Sequence, residues 1–139
     1  MLGRLSGEPS PGRARVPRST VDVLLVHCDP GFVDSVTDVV RKHAFTVISV
    51  GSAEEAQATV RQGCTPRLAL FDLTFASLDA RGLLANLRRD PACAETRYVA
   101  LTTGSDGAAA AALMVDGTLL KPVEVRELLE VLRRHCGAP

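Results

Sequence analysis

Tryptophan is absent from the 139 residues, one tyrosine and four phenylalanines are the only aromatics, and neither charge sign is in excess, the formal net charge being +0 at pH 7. Aromatics this sparse exclude a base-stacking platform for single-stranded nucleic acid. Balanced charge leaves bulk electrostatics silent about a partner. No run approaches the roughly 18 apolar residues of a membrane span, and the N-terminus lacks the apolar core of a secretion signal. The cysteines Cys28, Cys64, Cys93 and Cys136 form no Cys-x-x-Cys pair, which removes the zinc ribbon and the redox motif. A P-loop, a Gly-x-Gly-x-x-Gly turn and a nucleophile elbow are also missing, so no enzyme of those classes is expected. These absences leave a reduced, cytoplasmic protein without a nucleic-acid or membrane partner as the expectation.

What is present fits one core, because 139 residues is about one domain and too few for a second, output-bearing one. Residues 1–20, MLGRLSGEPSPGRARVPRST, carry proline, glycine, serine and arginine without apolar periodicity and are expected to be a disordered basic arm. A folded domain is expected over 21–136. Within it, short β-branched apolar runs alternate with helical periodicity, as in a parallel sheet covered on both faces. VDVLLV (21–26), TVISV (46–50), RLALFD (67–72), YVALTT (98–103) and GTLLK (117–121) read as strands.

Between them, Phe32, Val36, Val39 and Val40 fall on one face of a first helix, and Ser52 with Glu55 forms a capping box for a second that stops at Gly63. GLLANLRR (82–89) is a third helix, and the small, apolar DGAAAAALMVDG a short fourth, buried on both sides or open on one. Pro122 stands just before a fifth, whose stripe is Val125, Leu128, Leu129 and Leu132. Right-handed crossovers then favour a flavodoxin-like three-layer α/β sandwich, (βα)5, with a five-stranded sheet of order 2-1-3-4-5.

In such a sheet chemistry gathers at the carboxyl ends of the strands. Strand one ends in His27-Cys28-Asp29-Pro30, strand three in Asp72, strand four in Thr102-Thr103 and strand five in Lys121-Pro122. An acid, a hydroxyl and a lysine therefore converge. A carboxylate nucleophile attacking phosphorus needs its own charge and that of the phosphoryl group neutralised by cations, and lysine supplies part of that.

The segment LFDLTFASLDARGLLANLRRD resembles the response-regulator receiver (CheY-like) family around its phosphorylated aspartate, and LLKPVEVRELL its lysine-proline element; the likeness spans roughly 21 to 135. It implies that Asp72 is the phosphoacceptor for a histidine kinase, that Thr102 and Lys121 contact the phosphoryl group, and that the Lys121–Pro122 bond is cis. It also implies a magnesium ion held by two acidic residues directly after strand one. Here those positions are His27 and Cys28, which are poor magnesium ligands. Asp29 lies one residue later, so the expected ion site is a weak one on Asp72, Asp29 and water. Further departures are Ala76, Ala80 and Thr118, the last at the position of an aromatic switch.

Two readings of the pocket follow: His27 and Cys28 simply fill it, or with Asp72 they make a soft-metal site for zinc or copper. Asp72 has a structural alternative of its own, a strand-end carboxylate that caps a loop amide. Two readings of function follow as well. One is a stand-alone pseudo-receiver of two-component signalling that acts by protein association; the other is a phosphoacceptor working through Asp72. The expected partners are a histidine kinase, a downstream effector or a second copy, met on helix four, strand five and helix five through Leu113, Met114, Val115 and Thr118.

Overall fold

The structure is a computed structural model that describes residues 19–26, 29–74, 79–105 and 107–137. The expectations for the arm up to residue 18 and for His27, Cys28 and Ala76 lie outside the described residues. Strands β1 (Ser19–Val26), β2 (Val47–Val50), β3 (Cys64–Asp72), β4 (Arg97–Thr102) and β5 (Gly117–Leu120) alternate with helices α1 (Pro30–Lys42), α2 (Ala53–Arg61), α3 (Ala80–Arg89), α4 (Gly107–Ala112) and α5 (Val125–Cys136). The strands form one parallel sheet in the order β2-β1-β3-β4-β5, as the crossover argument requires.

Strict alternation along the strands builds two cores. Leu24, Val26, Ala69, Phe71, Tyr98 and Ala100 face α2 and α3. Val23, Leu25, Leu68, Leu70, Val99 and Leu101 face the other way, toward α1 and α5. The central strands are sealed on both sides, and each fully buried leucine or phenylalanine stabilises by about 1.5–3 kcal/mol. No described helix is long and apolar enough to cross a membrane.

The capping box forms: Glu55 N–H donates to Ser52 Oγ at 3.1 Å, and the Glu55 carboxylate accepts from Gly51 N–H at 2.7 Å, one residue before the expected partner. Gly63 ends the helix's turn at φ 111°, a conformation that disfavours a Cβ, and delivers the chain into β3.

Among the boundaries that differ from expectation, three have backbone reasons. Strand β1 starts at Ser19, so two residues assigned to the arm belong to the sheet; they pair with Cys64 and Thr65, and Ser19 N–H donates to Gly63 O at 2.8 Å. Strand β3 likewise starts three residues early, running through Pro66. Strand β4 joins only from the Leu68–Arg97 rung, so the start of β3 is an edge on that side, where proline is tolerated. Helix α5 begins at Val125 with Glu124 at its N-cap, so Pro122 precedes it in the loop, separated from the helix by Val123 and the cap. A 3-10 turn at Pro91–Cys93, capped by Asp90 accepting from Ala92 N–H at 2.9 Å, was not anticipated.

Candidate functional site

The sheet places the ends of β3, β4 and β5 side by side. The rungs Asp72–Leu101 and Thr102–Leu120 put Asp72, Thr102 and, one residue beyond β5, Lys121 at neighbouring strand ends. Lys121 N–H donates to Thr102 O at 2.8 Å, extending the ladder past β5, and the Lys121–Pro122 bond that follows is cis.

Asp72 is 1% exposed. Lys121 Nζ donates to its Oδ2 at 2.7 Å. The other oxygen, Oδ1, accepts from Thr74 N–H at 2.8 Å and from Thr74 Oγ1–H at 2.6 Å. Lys121 Nζ also reaches Thr74 Oγ1 at 3.2 Å, which closes a triangle of acid, hydroxyl and ammonium. Both carboxylate oxygens are thus bonded and the charge is compensated, the condition under which a buried carboxylate is tolerable. Thr74 was missed from the sequence, although Asp-x-Thr is the spacing at which a side-chain carboxylate turns back on its own backbone. Thr102 is buried beside them, at 5% exposure.

Asp29 does something else. Its side chain is the N-cap of α1, Oδ1 accepting from Gly31 N–H at 3.0 Å and Phe32 N–H at 3.3 Å. Asp29 thus serves as a helix cap through Oδ1: an acid directly before Pro30-Gly31 meets the unsatisfied amides of the first turn, where negative charge is favoured.

Magnesium requires several hard oxygen donors, carboxylates above all. Asp72 offers one carboxylate, bonded at both oxygens, and among the described residues no group of three or more His, Cys, Asp or Glu side chains gathers around a common point. Among the described residues these strand ends therefore offer magnesium a single carboxylate, that of Asp72, which makes any association there a weak one. The alternative soft-metal site on His27, Cys28 and Asp72 falls outside the described residues except for Asp72.

The expected interaction surface is redrawn. Leu113 and Val115 pack on the core, whereas Met114 between them is 79% exposed at φ 56°. Arg88 of α3 fixes this reversal, donating to Leu113 O at 2.9 Å and Met114 O at 2.8 Å, with its guanidinium 5.0 Å from the centre of the Tyr98 ring. Thr118 is exposed, as is Leu120 at 55%, which was not anticipated; Val125, expected in the stripe of α5, is 54% exposed instead, because it opens the helix and the stripe is carried by Leu128, Val131 and Leu132. Helix α4 buries only Ala110, so the reading in which it is enclosed on both sides does not hold.

No family model matches the sequence, and no curated protein does either. Solved structures do match. The receiver domain of the sensor histidine kinase PA1611 from Pseudomonas aeruginosa PAO1, determined with magnesium coordinated in its active site cleft, superposes with a TM-score of 0.73 at 20% identity, covering 86% of this chain and 99% of that one. The chemotaxis response regulator CheY4 of Vibrio cholerae gives 0.71 at 19% identity, over 84% of this chain and 98% of the other. An adenylate cyclase from Rhodopirellula baltica gives 0.73 at 17% identity, over 84% and 87%. The chain thus has the fold of the response-regulator receiver domain.

Proposed function

We propose that the chain is a receiver-type module of two-component signalling that works by binding other proteins rather than by magnesium-dependent phosphoryl chemistry. One observation carries this reading: the buried Asp72 carboxylate is held at both oxygens by Lys121 and Thr74, while the acid nearest the end of β1, Asp29, caps α1. Among the described residues the Lys121 ammonium balances the Asp72 charge without a metal. Three of the about four lone-pair positions of this carboxylate are taken, which lowers its nucleophilicity toward phosphorus. Losing the metal carboxylates removes several kcal/mol of transition-state stabilisation. Met114, Thr118, Leu120 and Val125 supply the surface on which a histidine kinase, a downstream effector or a second copy would dock.

The convergence of Asp72, Thr102 and Lys121 supports a second reading, a phosphoacceptor. The two are separated by treating the protein with acetyl phosphate and magnesium and reading intact mass beside Asp72→Asn. The expected result is no added phosphoryl mass. A magnesium-dependent addition that disappears in Asp72→Asn makes Asp72 a working phosphoacceptor instead. A mass by light scattering that stays monomeric at high micromolar concentration counts against self-association on the Met114 face.

A further inference from the structure

The opposite end of the sheet carries a groove that the Asp72 site does not use. It has a volume of about 460 Å³ and is lined by Arg67 of β3, Arg97 of β4, and Arg134 and His135 from the last turn of α5. Thr20 and Thr65, partners on one rung of β1 and β3, add hydroxyls to its wall. Asp72 is seven residues further along β3 than Thr65, roughly 23 Å at about 3.3 Å per residue.

The arginines are only loosely engaged. Arg67 Nε lies 3.4 Å from Asp22, and an Arg97 terminal nitrogen 3.8 Å from Asp116, with the two arginine side chains 54% and 56% exposed. A strong charge-assisted bond is about 2.7–2.9 Å long, and exposed pairs are worth about 0–1 kcal/mol. Each aspartate is meanwhile fixed by a backbone amide through its other oxygen, Asp22 by Thr46 N–H at 2.9 Å and Asp116 by Tyr98 N–H at 2.8 Å. The acids are therefore positioned by the fold, while the guanidinium forks keep donors to spare. His135 also lines the groove, but its Nε2 is buried, out of reach of a ligand there, and burial lowers its pKa below the usual 6.5, so at neutral pH it adds little positive charge to the site.

We propose that this groove binds a polyphosphate group, two or more linked phosphates whose oxygens bridge Arg67, Arg97 and Arg134. A single carboxylate satisfies one guanidinium fork, and three converge here from two strands and a helix. The volume is within the about 300–1,000 Å³ of small-molecule sites, but charged lining selects a compact, multiply charged oxyanion over an apolar ligand. Glu95 on the rim opposes the anion and sets a limit on affinity. This proposal does not rest on the signalling reading, since none of its residues belongs to the Asp72 site.

The test is isothermal titration of the full chain with sodium pyrophosphate and with ADP, sulfate at matched ionic strength serving as the charge control. One-to-one saturable binding is expected, about tenfold weaker in Arg134→Ala through loss of one charge-assisted contact. It should be tighter in Glu95→Gln and unchanged in Arg126→Ala, an exposed arginine at the other end of α5. Equal binding of the two ligands assigns the groove to phosphates alone, and tighter binding of ADP assigns it to a nucleotide; either supports the proposal. Heats no larger than those of sulfate, or an Arg134→Ala that binds as the parent does, overturn it. Alanine at an exposed helical position preserves folding, and Glu95→Gln provides a gain of binding that no unfolding can mimic.

Discussion

Lys121 Nζ and Asp72 Oδ2 meet at 2.7 Å across 49 residues of sequence, with side-chain exposures of 25% for the lysine and 1% for the aspartate. The pair is asymmetric. Removing the lysine strands a carboxylate that water cannot reach, whereas removing the acid leaves an ammonium that can turn outward. Lys121→Met should therefore destabilise by about 3 kcal/mol, the low end for a broken buried pair because the lysine is partly wetted. Asp72→Asn should cost less, and the double substitution should recover part of the Lys121→Met loss. Urea denaturation of the four proteins measures this cycle; additive effects would show that the pair carries no coupling.

Thr74 holds the other carboxylate oxygen twice, through its amide and its hydroxyl. Thr74→Val keeps shape and amide but deletes the 2.6 Å hydroxyl bond to a charged acceptor; such bonds contribute about 1.5–3 kcal/mol. Denaturation should report a loss in that range for valine and little change for Thr74→Ser. Equal losses in the two variants would mean that the hydroxyl is not what holds Asp72.

The strand order and the convergence of Asp72, Thr102 and Lys121 were legible because alternation and crossover handedness act on patterns long enough to read. Features set by backbone alone were not. Ser19, Thr20 and Thr65 extend β1 and β3 through ladder hydrogen bonds that leave no apolar mark in the sequence. Pro122 marks the approach to α5 but not its first residue, because a proline before a periodic stretch looks the same next to the helix as in a loop ahead of it. Around Met114 one left-handed residue sends Leu113 and Val115 inward and the methionine outward. A stretch of small residues gives no periodicity from which to foresee that. Asp29 was recognised as an acid, but the cap that its Oδ1 makes with the Gly31 and Phe32 amides was not foreseen.

Tyr98 is the single tyrosine of a chain without tryptophan, so its ionisation can be read alone from the near-ultraviolet tyrosinate band. Burial, aided by Cys93, pushes its pKa from the usual 10.0 up to about 12, while Arg88 pulls it down. Because the folded value is raised, the stabilisation linked to the neutral phenol is complete below pH about 10 and is lost as pH rises toward about 12. Arg88→Ala should raise the midpoint further while freeing the Leu113 and Met114 carbonyls, so amide exchange at the end of α4 should quicken. A midpoint near 10 in the folded protein would contradict the enclosed phenol.

Cys136, in the last turn of α5, is 9% exposed and its thiol lies 3.4 Å from the Asp22 carbonyl oxygen, to which it donates. Burial raises its pKa from the ordinary 9.0 to about 11, with Asp22 adding to the shift and Arg67 opposing it. Two units leave about a hundredfold less thiolate at mildly alkaline pH, and the thiolate is the reactive form. Iodoacetamide followed by peptide mass mapping should label the half-buried Cys64 well ahead of Cys136 in the folded chain, and both alike in urea. Asp22→Asn removes the charge that helps keep the thiol protonated and should speed Cys136 labelling. If Cys136 labels as fast as Cys64 without denaturant, the end of α5 opens far more readily than its packing against Asp22 allows.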